Sequence, residues 1–270
     1  MGATTSIEWT EHTFNPWWGC TKVSAGCTNC YAEALARRYG HDVWGGSQRR
    51  TFGDAHWREP LKWNAAALAE GRPHRVFCAS MADVFDEDAP PSEQLRLWSL
   101  IEATPWLQWQ ILTKRPQRIV ERVPAAWLEA PRHNVWLGTS IEGPSVLGRI
   151  RDLVGVPAAV RFLSVEPLLQ RIPRLPLRGI HWVIVGGESG SRSRPMEPTW
   201  VRSIRDRCAT AGVSFFFKQW GGRYNKEKGR TLDGRLWNEI PIVEDVAWDT
   251  ERAPSSSIAS ATGRSARIGS

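Results

Sequence analysis

Six short runs along the chain are apolar at nearly every position: residues 75–79, 109–113, 135–139, 160–165, 181–185 and 213–217. They are rich in aromatic and β-branched side chains and lack the polar alternation of a half-exposed strand. That pattern predicts parallel strands covered on both faces. Amphipathic segments separate them and predict helices over 92–104, 117–128, 145–153 and 199–211. Pro-Pro-Ser before Glu93 and Glu-Pro-Thr before Trp200 give two of these cap-like starts. An earlier strand belongs between residues 6 and 18, limited by Pro16, with a helix at 31–39 and Gly40 as its C-terminal cap.

The expected fold class is therefore α/β, with about six or seven βα units. A doubly wound sheet accommodates the count, and so does a full or partial (β/α) barrel, which is the expectation carried forward. The residues that follow the runs are unusually polar: Ser80, Asp83, Lys114, Arg115, Ser140, Glu142, Glu166, Glu188, Ser189, Lys218 and Gln219. Polar groups gathered at strand C-terminal ends are how such folds build a site on one rim, which argues for an enzyme. Residues 1–222 read as a barrel-like catalytic domain carrying an N-terminal cysteine loop, and 223–248 as an extension packed on the core. Residues 249–270, rich in Ser, Ala and Arg, read as a disordered tail.

Charge sharpens the choice of partner. The chain carries a net charge of +7, of which the segment from Glu251 onward supplies only +2. The basic balance thus belongs to the ordered part and points to a polyanion, nucleic acid first, against the plainer alternative of a basic soluble enzyme. Most of the sixteen tryptophans must pack in the core, leaving a few to stack on bases or an adenine. No apolar run reaches the length of a membrane span and no signal pattern opens the chain, so a cytoplasmic location without membrane contact is expected. Five cysteines in such a chain favour metal or redox chemistry over a disulfide framework.

Three of them, Cys20, Cys27 and Cys30, fall in a Gly- and Ser-containing loop that runs into the 31–39 helix. Three thiolates within eleven residues can converge on one centre. A structural zinc normally closes with four protein ligands, whereas a [4Fe–4S] cluster on three cysteines leaves one iron open. Three readings stand: a cluster, a zinc ion completed by His12 or His41, or plain buried thiols. Cys78, inside an apolar run, and Cys208, inside a helix, read as core residues.

A three-cysteine loop after the first strand of such a barrel resembles the radical S-adenosylmethionine (SAM) superfamily. More narrowly, six blocks resemble an uncharacterised phage and prophage family that carries a three-cysteine, radical-SAM-like motif. They are Asn15-Pro16-Trp17-Trp18-Gly19-Cys20, Gly26-Cys27 with Cys30-Tyr31-Ala32, Ile111-Leu112-Thr113-Lys114-Arg115-Pro116, Ser164-Val165-Glu166-Pro167-Leu168, Gly186-Gly187-Glu188-Ser189-Gly190 and Phe217-Lys218-Gln219-Trp220-Gly221. The match extends over roughly residues 5–241. The superfamily pattern has Cys-x3-Cys-x2-Cys where this chain has Cys-x6-Cys-x2-Cys, and an aromatic residue where Asn29 stands. Its Gly-Gly-Glu follows the second strand, whereas Gly186-Gly187-Glu188 follows a much later one.

The resemblance implies an enzyme whose [4Fe–4S] cluster and SAM generate a radical that modifies or repairs a nucleic acid or nucleotide. An electron donor such as flavodoxin or ferredoxin is implied as well. It makes Cys20, Cys27 and Cys30 the metal ligands. It places Thr139, Ser140 and Glu142, after the fourth run, toward SAM; strand-end position adds Ser80 and Glu188 as candidate SAM contacts and makes Lys114, Glu166 and Glu188 the catalytic candidates. The two alternatives are a zinc-containing nucleic-acid-binding protein and a barrel hydrolase or lyase using Glu166, Glu188 and Lys114 as acid–base groups. Lys114-Arg115, with Arg192 and Arg194, are further candidates for an anionic group, and Trp220 for stacking.

Overall fold

A computed structural model describes residues 5, 7–46, 48–224 and 227–242. The expected tail, and the end of the expected extension from residue 243, lie outside these. Seven strands form one sheet: β1 (His12–Phe14), β2 (His74–Cys78), β3 (Leu107–Thr113), β4 (Val135–Ser140), β5 (Val160–Val165), β6 (Trp182–Gly186) and β7 (Ser214–Gln219). They pair in chain order and every pair is parallel. Among the described residues, eight α-helices accompany them: α1 (Tyr31–Arg38), α2 (Asp54–Trp57), α3 (Glu59–Glu70), α4 (Pro91–Glu102), α5 (Ile119–Arg122), α6 (Ala125–Glu129), α7 (Gly148–Val154) and α8 (Pro198–Ala211).

Side-chain alternation sorts each strand into two faces. Val76, Ile111, Leu137, Leu163, Val183 and Phe217 join the large core that also takes up Leu97, Ile101, Ile150 and Ile204 from the helices. Phe77, Trp136, Phe162, Trp182, Ile184 and Phe216 point the other way, into a second core with Trp9. That second core demonstrates curvature. The Trp9 ring lies 4.7 Å from Phe77 on β2 and 5.9 Å from Trp182 on β6. In a flat sheet four strand spacings would hold β2 and β6 about 19 Å apart. The sheet is curled around this aromatic plug, and among the described residues no pairing joins β7 back to β1. The architecture is a partial (β/α) barrel of seven strands.

The free edge of β7 is covered by the chain itself. Phe217 N–H donates to Trp237 O at 3.0 Å, Glu239 N–H donates to Phe215 O at 3.2 Å, and the Trp237 ring packs edge-on against Phe215. A covered edge cannot template pairing with another chain.

Local chemistry accounts for where the helices differ from expectation. The 117–128 segment is two short helices, because Pro124 forces Val123 into an extended conformation between them. The 145–153 segment opens as a 3-10 turn before α7. Helix α1 ends as expected: Gly40 takes φ +77° and His41 N–H reaches back to Ala36 O at 2.9 Å. Helices α2 and α3 were not anticipated, since Leu61 and Leu68 of α3 are exposed and leave it no continuous apolar stripe.

Candidate functional site

The C-terminal ends of all seven strands open into one cavity of about 770 Å³, and Cys20, Cys27 and Cys30 lie on its wall. The cysteine loop reaches this position because both of its halves are tied to strand ends. On the Cys20 side, Arg115 turns inward and is 3% exposed. Its guanidinium contacts Asp83 at 3.0 Å and Asp86 at 3.2 Å, and donates to Thr21 O at 2.7 Å and to Cys20 Sγ at 3.9 Å. Asp86 in turn accepts from Thr21 N–H at 2.9 Å and from Arg49 at 2.8 Å. Asp83 also accepts from Thr113 Oγ1 at 2.7 Å and from Lys114 N–H at 3.0 Å, which locks the β3 end into the same network.

On the Cys27–Cys30 side the anchors are carboxylates from β4 and β6. Glu142 takes the Ser24 hydroxyl and pairs with Arg149 at 2.8 Å. It fills the space beside Gly26, where an added Cβ would lie 2.5 Å from Glu142 Cγ. Glu188 accepts from Arg194 Nε at 2.8 Å, Arg194 N–H at 2.9 Å and Asn29 Nδ2 at 3.2 Å. Arg194 also donates to Ala25 O at 3.0 Å. Burial pushes the Glu188 carboxyl up, but the Arg194 and Asn29 hydrogen bonds and the Arg194 charge outweigh it and hold it below the usual range.

Burial, reinforced by Asp83 and Asp86 and only partly opposed by Arg115, pushes the Cys20 thiol up to about 12. Burial also raises the Cys30 thiol, against the opposing pull of the Glu33 and Ala32 N–H groups at the start of α1 and of Lys114. Among the described residues, no three His, Cys, Asp or Glu side chains converge closely enough to hold a single metal ion. Three thiols fall one short of the four protein ligands of a closed structural zinc site, whereas they are the number that a [4Fe–4S] cluster with one open iron takes. The two histidines considered for zinc are elsewhere. His12 stacks on Trp63 at 4.4 Å and His41 packs edge-on to Trp18 at 5.7 Å, and neither lines the cavity.

The structure divides the other candidate residues. Ser80, Lys114, Ser140, Glu166 and Glu188 line the cavity, whereas Thr139 and Glu142 do not. Thr139 faces the helix layer and donates to Thr113 O at 2.9 Å; Glu142 is spent on the loop. Ser80 exchanges hydrogen bonds with Asn15, and its carbonyl accepts from Tyr31 OH at 2.8 Å. Glu166 pairs with Lys218 at 2.6 Å. No described carboxylate pairs with Lys114. Arg115 and Arg194, expected to meet an outside anion, are occupied by the protein's own carboxylates. Trp220 packs on Phe217 and donates to Thr231 O, away from the cavity.

Sequence reasoning missed Arg49, Asp86 and Ser24 as loop anchors. The one available signal was the close spacing of Asp83, Asp86 and Asp88, since Arg49 sits in a stretch with no periodicity.

The chain is similar to solved structures of spore photoproduct lyase. A variant with bound AdoMet and dinucleoside spore photoproduct is 15% identical, with a TM-score of 0.45 over 73% of this chain and 61% of that one. A second variant is 18% identical, with a TM-score of 0.47 over 77% and 63%. A complex with dinucleoside spore photoproduct is 16% identical, with a TM-score of 0.45 over 76% and 65%. This chain thus spans less than two thirds of the length of each. No curated protein sequence matches it. Among the described residues, no helix is long and apolar enough to cross a membrane. A family model described as "Protein of unknown function (DUF5131)" matches residues 4–241, and the chain belongs to that family.

Proposed function

We propose that this protein is an iron–sulfur enzyme of the radical-SAM type. In this reading it holds a [4Fe–4S] cluster on Cys20, Cys27 and Cys30, takes SAM beside it, and modifies or repairs a nucleic acid or nucleotide. One observation carries the proposal: three thiols share a single large cavity with the polar ends of the barrel strands. When bound, the cluster and SAM supply one-electron cleavage of the sulfonium and a radical able to remove a substrate hydrogen.

The chain's own residues bind, orient and exclude water. The Arg115 network and the Glu142 and Glu188 anchors fix the loop from opposite sides, so Cys20, Cys27 and Cys30 would hold a cluster with little reorganisation of the loop. Trp9, Phe77 and Leu112 close the cavity floor against solvent. Ser80, Ser140 and Ser164 offer hydroxyls along the strand ends, and Lys114 offers a cation to a carboxylate or phosphate. The hydrolase alternative fares worse, because Glu166 is ion-paired and Glu188 is engaged by Arg194 and Asn29.

Anaerobic reconstitution with iron and sulfide is the test, followed by reduction in the presence of SAM. The expected result is a brown protein that converts SAM to methionine and 5′-deoxyadenosine. Stoichiometric zinc with no iron uptake, or SAM left intact by the reduced protein, would overturn the proposal.

A further inference from the structure

Among the described residues, the crossover from β5 to β6 is the one connection between consecutive strands that carries no helix. Parallel strands are usually joined through one, but Pro167, Pro173 and Pro176 deny residues 166–181 a continuous helix. The segment lies instead as a strap on the outer side of the sheet. Leu168, Ile172, Leu175 and Ile180 are buried in the helix-layer core, which leaves Arg171, Arg174 and Arg178 exposed to solvent. Because β5 and β6 are parallel, the strap must return from the cavity rim to the opposite end of the barrel. Its head is pinned at the rim. Leu168 N–H donates to Gly186 O at 3.0 Å, Leu169 N–H donates to Glu142 O at 2.9 Å, and Glu166 and Pro167 line the cavity. Arg171 therefore stands nearest the rim along the strap, and Arg178 farthest from it.

No counter-charge accompanies these arginines. Between Glu166 and Glu188 the sequence has no carboxylate, so this stretch alone carries +3 of the net +7. Among the described residues, none of the three has an ion-pair partner. Asp152 on α7 and Asp206 on α8 are taken by Arg151 at 3.5 Å and Arg205 at 2.7 Å. Arg207 of α8 donates to Pro173 O and sets a fourth exposed cation beside the strap. From Arg171 to Arg178 the chain can span at most about 25 Å. That is the length of roughly seven phosphates along one nucleic-acid strand at about 3.4 Å each. A lipid surface suits the strap less well, because its apolar side chains are taken up by the core and leave nothing to insert. An acidic protein patch gives no reason for the row to begin at the cavity mouth. A polymer does: one unit can sit inside while its neighbouring phosphates follow the row outward.

We propose that the strap is a backbone track for a nucleic-acid strand: Arg171, Arg174 and Arg178, with Arg207 beside them, pair with phosphates of a strand that leaves the cavity over its rim. This rests on the nucleic-acid part of the function proposed above. The test is anisotropy of a fluorescein-labelled single-stranded DNA 12-mer across a KCl series, on the full chain with and without its cluster. Each phosphate contact adds about 0.7 to the steepness of log K against log salt for a single strand. The triple variant Arg171→Gln, Arg174→Gln, Arg178→Gln should therefore flatten the slope by about 2 and weaken binding at about 0.1 M KCl roughly 100-fold, with an unchanged urea midpoint. A control, Arg38→Gln, Arg58→Gln, Arg122→Gln, removes the same charge from other elements and should change the slope by less than about 0.5. Three results would each sink the inference: a wild-type slope in the folded strap variant, an equal loss in the control, or competition by polyglutamate or phosphatidylserine vesicles as effective per charge as unlabelled DNA. Strap-dependent binding by a protein that never takes up iron would support the track and refute the radical-SAM reading alone. Iron uptake and SAM cleavage with DNA binding indifferent to the strap would refute this inference alone. A wild-type chain that leaves the DNA unbound would refute both this inference and the nucleic-acid part of that reading.

Discussion

Replacing Arg115 with methionine keeps the length of its buried stem and removes the guanidinium. The substitution breaks the ion pairs to Asp83 and Asp86 at 3.0 and 3.2 Å and the 2.7 Å bond to Thr21 O. Removing one partner of a buried ion pair costs about 3–5 kcal/mol, because the other charge is left uncompensated. Here neither aspartate is stranded. Asp83 keeps Phe85 N–H, Thr113 Oγ1 and Lys114 N–H, and Asp86 keeps Thr21 N–H and Arg49. The low end, about 3 kcal/mol, is therefore expected. With a urea m-value of roughly 3 kcal/mol/M, the unfolding midpoint should fall by about 1 M. Arg115→Lys should recover only part of this, since an ammonium cannot reproduce the planar fork that meets Asp83, Asp86 and Thr21 together. The double variant with Asp86→Asn should be less destabilised than the sum of the two single variants, because it leaves fewer unpaired charges. A midpoint shift under about 0.3 M in Arg115→Met would refute the assignment of this network as the principal support of the Cys20 side of the loop.

Three further outcomes follow from other parts of the molecule. Burial raises the Glu11 carboxyl, but hydrogen bonds from the Arg75 side chain and backbone and the charges of Arg75 and Arg72 prevail and lower it to about 2. A carboxylate depressed in the folded state contributes stability above its unfolded pKa near 4.5 and loses it as pH falls toward 2. Glu11→Gln should thus cost up to roughly 3 kcal/mol at pH 7, with the gap to wild type closing between pH 4.5 and 2 in urea titrations; a pH-independent gap would count against the assignment. Gly138→Ala puts a Cβ 2.3 Å from the fully buried Phe162 ring, so a loss of about 2–3 kcal/mol is expected, partly restored by Phe162→Leu. Alanine at Cys20, Cys27 or Cys30 should each abolish iron retention, whereas Cys208→Ala, in the helix-layer core, should keep it at the wild-type level.

The strand framework was legible because parallel strands buried on both faces are nearly continuous apolar runs, and all six predicted runs overlap β2–β7. β1 was visible only as a window, being three residues long. Helices α2 and α3 were invisible because their packing uses scattered residues such as Trp57 and Ala67 rather than a stripe. At the site, sequence showed which residues stand at strand ends but not which way they turn. Thr139 and Ser140 are neighbours on β4, and alternation gives the cavity only to Ser140. Arg115 read as a rim cation because its partners, Asp83 and Asp86, lie about thirty residues earlier in the chain.

The departures from the radical-SAM pattern acquire a common physical role once their hydrogen bonds are known. Asn29, standing where an aromatic residue was expected, and Glu188, standing after a later strand than expected, bond to each other at 3.2 Å. The first cysteine gap is three residues longer than the superfamily pattern, and its last three residues are gripped by the barrel, as is Thr21 at its start. Glu142 takes the Ser24 hydroxyl, Arg194 takes Ala25 O, and Gly26 admits the Glu142 side chain at a distance that any Cβ would forbid. A longer loop costs little extra closure entropy, a few tenths of a kcal/mol for a modest extension. It gains anchors to Glu142 after β4 and to Arg194, which Glu188 after β6 holds. The long gap is thus compatible with a loop held as firmly as a short one, by bonds to the strand ends rather than by its own brevity.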